Sequence, residues 1–193
     1  MESLFGKKKR APGGALVVYT TKHGQTQRYA ERIAQPLDAL IKEAAYMKGS
    51  KAATYDVIVV GCCVYQGKVQ GLDFLECNRE EFKGKRIVVY TCGILDPETP
   101  EIKASLDKQV KEALGEELAD AKIFHMRGAI HWRSLGIMEH AKMKKWLDAI
   151  KKKSDRSEAE NQLLEAEGGI IDFGDEVDCA SVVAAARGLE SAL

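Results

Sequence analysis

The sequence has no excess of charge of either sign: across 193 residues, 29 lysines and arginines balance 29 aspartates and glutamates. No whole-molecule field therefore draws the chain towards nucleic acid. It also lacks any apolar run approaching the ~20 residues that a membrane-spanning helix needs. The basic run Lys7-Lys8-Lys9-Arg10 leads into Ala11 to Gly14 without the apolar stretch of a secretory leader, so a cytoplasmic location is expected. The five cysteines, Cys62, Cys63, Cys77, Cys92 and Cys179, form no Cys-x-x-Cys pair. Odd in number, they read as reduced structural thiols and offer neither a disulfide nor a zinc framework. No internal repeat is evident.

What is present is an alternation of strand and helix patterns. Ala15 to Tyr19, Val57 to Val60 and Ile87 to Tyr90 are short, rich in β-branched residues and apolar throughout, as strands covered on both faces must be. Lys122 to Ile130 is a more mixed fourth candidate, and Ala44 to Met47 a weak edge strand, which makes five. Between them Ala30, Ile33, Ala34, Leu37 and Ile41 recur at helical spacing, with Pro36 expected to shorten that helix. Thr99 and Pro100 mark the start of a second helix, whose Ile102, Leu106, Val110, Ala113 and Leu114 share a face. This alternation predicts an α/β fold with a parallel sheet and right-handed crossovers.

The last quarter departs from it. Ser134 to Lys153 reads as a basic amphipathic helix, Ser154 to Glu167 is highly charged, and Gly168-Gly169 precedes a final helix over Ala180 to Leu189 with Asp178 as its cap. The expected organisation is a flexible basic tail over 1–14, then a single domain over 15–193 that carries a helical and charged insert over 134–169.

In parallel sheets ligands lie beyond the carboxyl ends of the strands. The loop after the first strand, Thr20-Thr21-Lys22-His23-Gly24-Gln25-Thr26, runs straight into the first helical pattern. A strand-to-helix turn offers free backbone N–H groups backed by the positive end of the helix dipole, and the hydroxyls of Thr21 and Thr26 add two donors. Gly24 permits positive φ or close approach to a ligand. The loop is thus a candidate phosphate site. Neither Gly-x-Gly-x-x-Gly nor Gly-x-x-x-x-Gly-Lys-Ser/Thr occurs here, which disfavours dinucleotides and nucleoside triphosphates.

Thr21-Lys22-His23-Gly24-Gln25-Thr26 resembles the flavodoxin superfamily phosphate loop Ser/Thr-x-Thr-Gly-x-Thr, with His23 at the central hydroxyl position. Within the superfamily the chain looks most like the flavodoxin-type menaquinone-dependent protoporphyrinogen IX dehydrogenases. The likeness runs through Gly24-Gln25-Thr26, Tyr55 to Gly61, Gly67, Gly128-Ala129-Ile130 and Gly168-Gly169, and covers most of residues 15 to 190. It implies a flavodoxin-like, three-layer, doubly wound, five-stranded parallel sheet, with the insert before the C-terminal helix.

It also implies FMN, held by Thr20, Thr21, Lys22, His23, Gly24, Gln25 and Thr26, bordered by Cys63, Val64, Tyr65, Gln66 and Gly67, by Thr91, Cys92, Gly93 and Ile94, and by His131 and Trp132. Tyr65 and Trp132 would stack on the flavin ring, and His131 is the candidate proton-moving residue. That family places Arg-Tyr where this chain has Tyr65-Gln66 and His131-Trp132, so no arginine stands there to pair with a propionate. Two functions follow: an FMN-dependent oxidoreductase, with menaquinone or a redox protein as partner, or a non-enzymatic electron shuttle of the flavodoxin kind. The charge balance favours the enzyme, since shuttles of this superfamily are commonly acidic. Residues 134–153 add a candidate peripheral contact with an anionic membrane surface. Cys92 and His125 read as structural.

Overall fold

The computed structural model describes residues 14–174 and 176–189, so the expected basic tail, apart from Gly14, lies outside the described residues. In chain order the elements are β1 (Ala15–Tyr19), α1 (Gln25–Leu37), β2 (Leu40–Glu43), α2 (Gly49–Ala52), β3 (Val57–Tyr65), β4 (Lys68–Gln70), α3 (Asp73–Glu76) and α4 (Arg79–Phe82). They continue with β5 (Arg86–Gly93), α5 (Pro100–Leu114), β6 (Lys122–Arg127), β7 (Ala129–His131), α6 (Ile137–Lys151), α7 (Glu158–Glu165), β8 (Ile170–Asp172) and α8 (Glu176–Arg187).

Five strands form a parallel sheet in the order β2-β1-β3-β5-β6, and β4 pairs antiparallel with the far end of β3. The apolar strands have two covered faces, as their composition requires. Leu16, Val18, Ile58, Val60 and Val89 pack beneath α5 and the short helices, whereas Val17, Val59, Val88 and Tyr90 pack beneath α1 and α8. The strand order turns back between β1 and β3, which places the ends of those two strands at the switch point where α/β sheets hold ligands.

Several boundaries differ from the sequence reading, each for a local reason. The edge strand is Leu40–Glu43 and not Ala44 to Met47, which forms a 3₁₀ turn. Pro36 sits in the last turn of α1, Asp38 follows at φ 47°, and the chain leaves the helix there, so Ile41 belongs to β2. β3 continues past Gly61 to Tyr65 and folds back through Gln66 (φ 53°) and Gly67 (φ 75°), a two-residue hairpin turn with both φ positive. The mixed segment 122–130 divides at Gly128, and β7 leaves the main sheet to pair with β8. Thr99 occupies the cap position of α5 without a side-chain cap bond. α8 begins at Glu176, so Asp178 lies inside it, and Leu189 is exposed beyond its end.

The insert is not a loose arm. α6 buries Leu147 and Ile150 against Ile130, Trp132, Leu163 and Ile171, forming a third, smaller core beside the sheet. β8 is further tied to α1 by the ion pair of Arg28 with Asp172. Among the described residues no helix is long and apolar enough to cross a membrane.

Candidate functional site

The first loop is built from both ends. Thr20 N–H donates to the Gly61 carbonyl at 2.8 Å, which pins the end of β1 to β3. Gly24 then adopts φ 83° as the residue before α1, and its N–H donates to Thr21 Oγ1 at 3.0 Å. The first helical bond runs from Arg28 N–H to the Gly24 carbonyl, so the N–H groups of Gln25, Thr26 and Gln27 precede the ladder and have no intrahelical acceptor. Beneath them Tyr90 reaches across β3 to donate its hydroxyl to the Thr26 carbonyl at 2.8 Å. That path exists because residue 61 is glycine: a Cβ there would lie 2.3 Å from the Tyr90 ring and hydroxyl.

Beyond the loop lies a cavity of about 370 Å³, within the ~300–1,000 Å³ usual for ligand pockets. Thr21, Lys22, His23, Gln25 and Thr26 line it from the first loop, Cys63, Val64, Tyr65, Gln66 and Gly67 from the β3–β4 hairpin, and Cys92, Gly93 and Ile94 from the end of β5. His131 lines it from the end of β7. Three loops and β7 thus bring together most of the residues singled out in the sequence.

Four of them do not line it. Gly24 shapes the turn from behind. Thr20 turns towards the end of β4, where a Cβ on Gly71 would collide with its hydroxyl. Thr91 faces the other side of the sheet from Cys92, because side chains alternate along a strand. It is buried and bonded to His125 Nδ1 at 2.8 Å, while His125 Nε2 meets Asp107 Oδ1 at 2.9 Å, so this histidine is the satisfied structural residue its strand position suggested. Trp132, expected to stack on a ring, is 5% exposed inside the third core instead.

Burial disfavours the thiolate at the two cysteines that line the cavity. Burial pushes Cys92 up to about 12, with the Thr26 hydroxyl opposing, and burial also raises Cys63.

The sequence did not reveal the far wall. Leu135, Glu139, Lys142, Met143 and Trp146, from α6 and the turn before it, line the cavity as well, together with Leu95 and Gly128 to Ile130. Helical periodicity marked α6 as amphipathic, yet periodicity carries no information on what an apolar stripe faces. Glu139 is the acidic residue in this wall. Its Oε1 lies 3.2 Å from Lys22 Nζ, 3.6 Å from His23 Nε2 and 3.4 Å from the Tyr65 hydroxyl. Oε2 accepts the Gly136 N–H at 3.1 Å. The Gly136 N–H holds the Glu139 carboxyl below the usual range against the opposing effect of burial, with Lys22 and His23 assisting. Lys22 also lies 3.3 Å above the centre of the Tyr65 ring, so one face of that ring is covered by its ammonium.

A family model described as a flavodoxin domain matches residues 16–157. The chain belongs to the flavodoxin domain family. Among solved structures this flavodoxin domain is similar to oxidised flavodoxin 2 from Bacillus cereus, at 20% identity and TM-score 0.43 over 60% of this chain and 86% of that one. It is also similar to two-electron reduced flavodoxin from Megasphaera elsdenii, at 17% identity and TM-score 0.43 over 58% and 84%. The Trp repressor binding protein of Bacillus subtilis aligns at 15% identity and TM-score 0.46 over 59% and 81%. No curated protein matches the chain.

Proposed function

We propose that this flavodoxin domain binds FMN and acts as an oxidoreductase on an organic substrate. The observation that carries the reading is the open start of α1 at the sheet's switch point, facing a cavity large enough for a ligand. The donor set fits a phosphate ester: the amide hydrogens of Gln25, Thr26 and Gln27 lie ahead of the helical ladder with the positive end of the helix dipole behind them, and Thr21, Gln25 and Thr26 line the cavity. Tyr65 and the backbone of Gly93 and Ile94 would flank the ring system. When bound, the flavin supplies the hydride and electron chemistry. The residues of this chain hold it, orient it and exclude water.

The α6 side of the cavity supports the enzyme reading over the shuttle. A shuttle exposes its flavin edge to a protein partner, whereas here Leu135, Met143 and Trp146 add apolar side chains to the cavity lining, which suits a small organic reactant such as a quinone. A protoporphyrinogen substrate is the finer reading that the sequence resemblance suggests; the cavity lining offers Lys22 and Lys142 for its carboxylates but no arginine. His131, exposed and lining the cavity from the end of β7, is the residue we assign to hold or move a proton beside a bound flavin. The electron-shuttle alternative needs the same cofactor.

Titration decides the core of the reading. Purified protein is expected to take up one equivalent of FMN, with a shifted visible spectrum and quenched fluorescence. A chain that stays colourless at high FMN concentration rules the proposal out. Turnover of reduced porphyrinogen with a menaquinone analogue then separates enzyme from shuttle.

The outer side of α6 supports one partner beyond the substrate. Ile137 is 91% and Met138 73% exposed, on the helix that also carries the exposed Lys144 and Lys145. Apolar residues among lysines are the pattern of a helix that lies on an anionic membrane. Co-sedimentation with vesicles rich in phosphatidylglycerol at low salt is expected, lost on Ile137→Asp with Met138→Asp. Equal recovery of the parent protein with neutral and anionic vesicles would exclude the contact.

A further inference from the structure

The ammonium of Lys22 and the imidazole of His23, the basic side chains of the first loop, are already drawn onto a carboxylate of the same chain. Glu139, carried by the roof helix, takes Lys22 at 3.2 Å and His23 at 3.6 Å, and the ammonium of Lys22 is held over Tyr65 by the same arrangement. Nothing in the third core requires this contact, because α6 is buried there through Leu147 and Ile150, two to three turns further along.

We infer that Glu139 is the specificity-determining residue of the loop: an internal counter-anion that a phosphate ester must displace, so that loading a phosphorylated ligand lifts the start of α6 while an unphosphorylated one leaves it latched. The inference rests on the FMN reading. A carboxylate and a phosphate dianion cannot share one ammonium at a few ångströms without repulsion, and the dianion has the stronger hold on Lys22 together with the free amides behind it. The exchange has a second effect. As Lys22 turns to the phosphate it leaves the face of Tyr65, the face on which a flavin ring would stack. Phosphate occupancy, ring access and roof position are therefore linked, and linkage of this kind is reciprocal: whatever loosens α6 must also strengthen phosphate binding.

Glu139→Gln isolates the charge, since glutamine serves as well as glutamate at the third helical position and keeps the bond to the Gly136 N–H. FMN and riboflavin are titrated by fluorescence quenching into the parent and variant, and trypsin cleavage after Lys142, Lys144 and Lys145, followed by mass spectrometry, reports the roof. E139Q is expected to bind FMN about five-fold more tightly or better, the equivalent of roughly 1 kcal/mol, and to leave riboflavin affinity within about two-fold. Cleavage in α6 should rise in E139Q, and in the parent on adding FMN or inorganic phosphate. Unchanged or weaker FMN binding in E139Q, or cleavage that responds neither to the variant nor to phosphate, overturns the inference. If the parent binds neither flavin, the FMN reading falls separately, and cleavage with inorganic phosphate still decides the latch.

Discussion

Gly61→Val should lower the melting temperature by about 10 °C. The new side chain would place its Cβ 2.3 Å from the Tyr90 ring, in a sheet centre where both strands are fixed by their neighbours. Overpacking of this kind costs about 1–3 kcal/mol. Moving the ring also breaks the buried bond from the Tyr90 hydroxyl to the Thr26 carbonyl, which adds about 1 kcal/mol or more. At roughly 2–4 °C per kcal/mol for a chain of this size, the sum gives the stated shift. Calorimetry or thermal circular dichroism reads it. A variant that melts within about 2 °C of the parent would show that Tyr90 does not need the space over Gly61. FMN affinity should fall as well, because Tyr90 is what holds the start of α1 from below.

Gly24→Val is expected to weaken FMN binding about 100-fold, near 2.7 kcal/mol, with only a small loss of stability. Space is not the reason: a Cβ on Gly24 meets nothing within 4 Å. The cost lies in the backbone, since φ 83° is reached freely by glycine and only with strain by a β-branched residue. A valine would turn the peptide over and carry the N–H groups ahead of α1 away from their common focus. Gly24→Asn is the companion variant. Asparagine tolerates positive φ far better, so its affinity should stay within about ten-fold of the parent. Equal losses for valine and asparagine would point to a steric effect and remove the backbone argument.

The contrast between these two glycines shows how much of the molecule was legible in the sequence. Gly24 stood out because it lay between a strand pattern and a helix pattern, amid hydroxyl residues, where local rules of turn and cap apply. Gly61 also lay in plain sight, at the end of an apolar run, yet its purpose depends on a tyrosine 29 positions later that becomes its neighbour only through sheet register. The same distinction separates Tyr65 from Trp132. Both follow strand ends, but β3 carries Tyr65 to the cavity while the chain leaves the sheet at Gly128 and folds Trp132 into the insert's own core. Thr91 and Cys92 differ by one residue and therefore by one face of the sheet. Parallel strands, crossover helices and the first loop were readable because they are set by short-range pattern. The roof, with Glu139 beneath it, was not, since α6 packs on a separate core of its own and Glu139 meets Lys22 and His23 only across more than a hundred residues.

The pairing of β7 with β8 sets His131 directly opposite Ile170. Everything between those two positions leaves and re-enters the framework through a single narrow doorway, with the main sheet complete before it and α8 following it. Such a segment behaves as a cassette: its length and composition are free to drift, because lengthening an excursion whose ends are already clasped changes its closure entropy only slowly. The chemistry over the loops can thus be rewritten by exchanging one contiguous stretch of polypeptide, with the scaffold underneath left as it was.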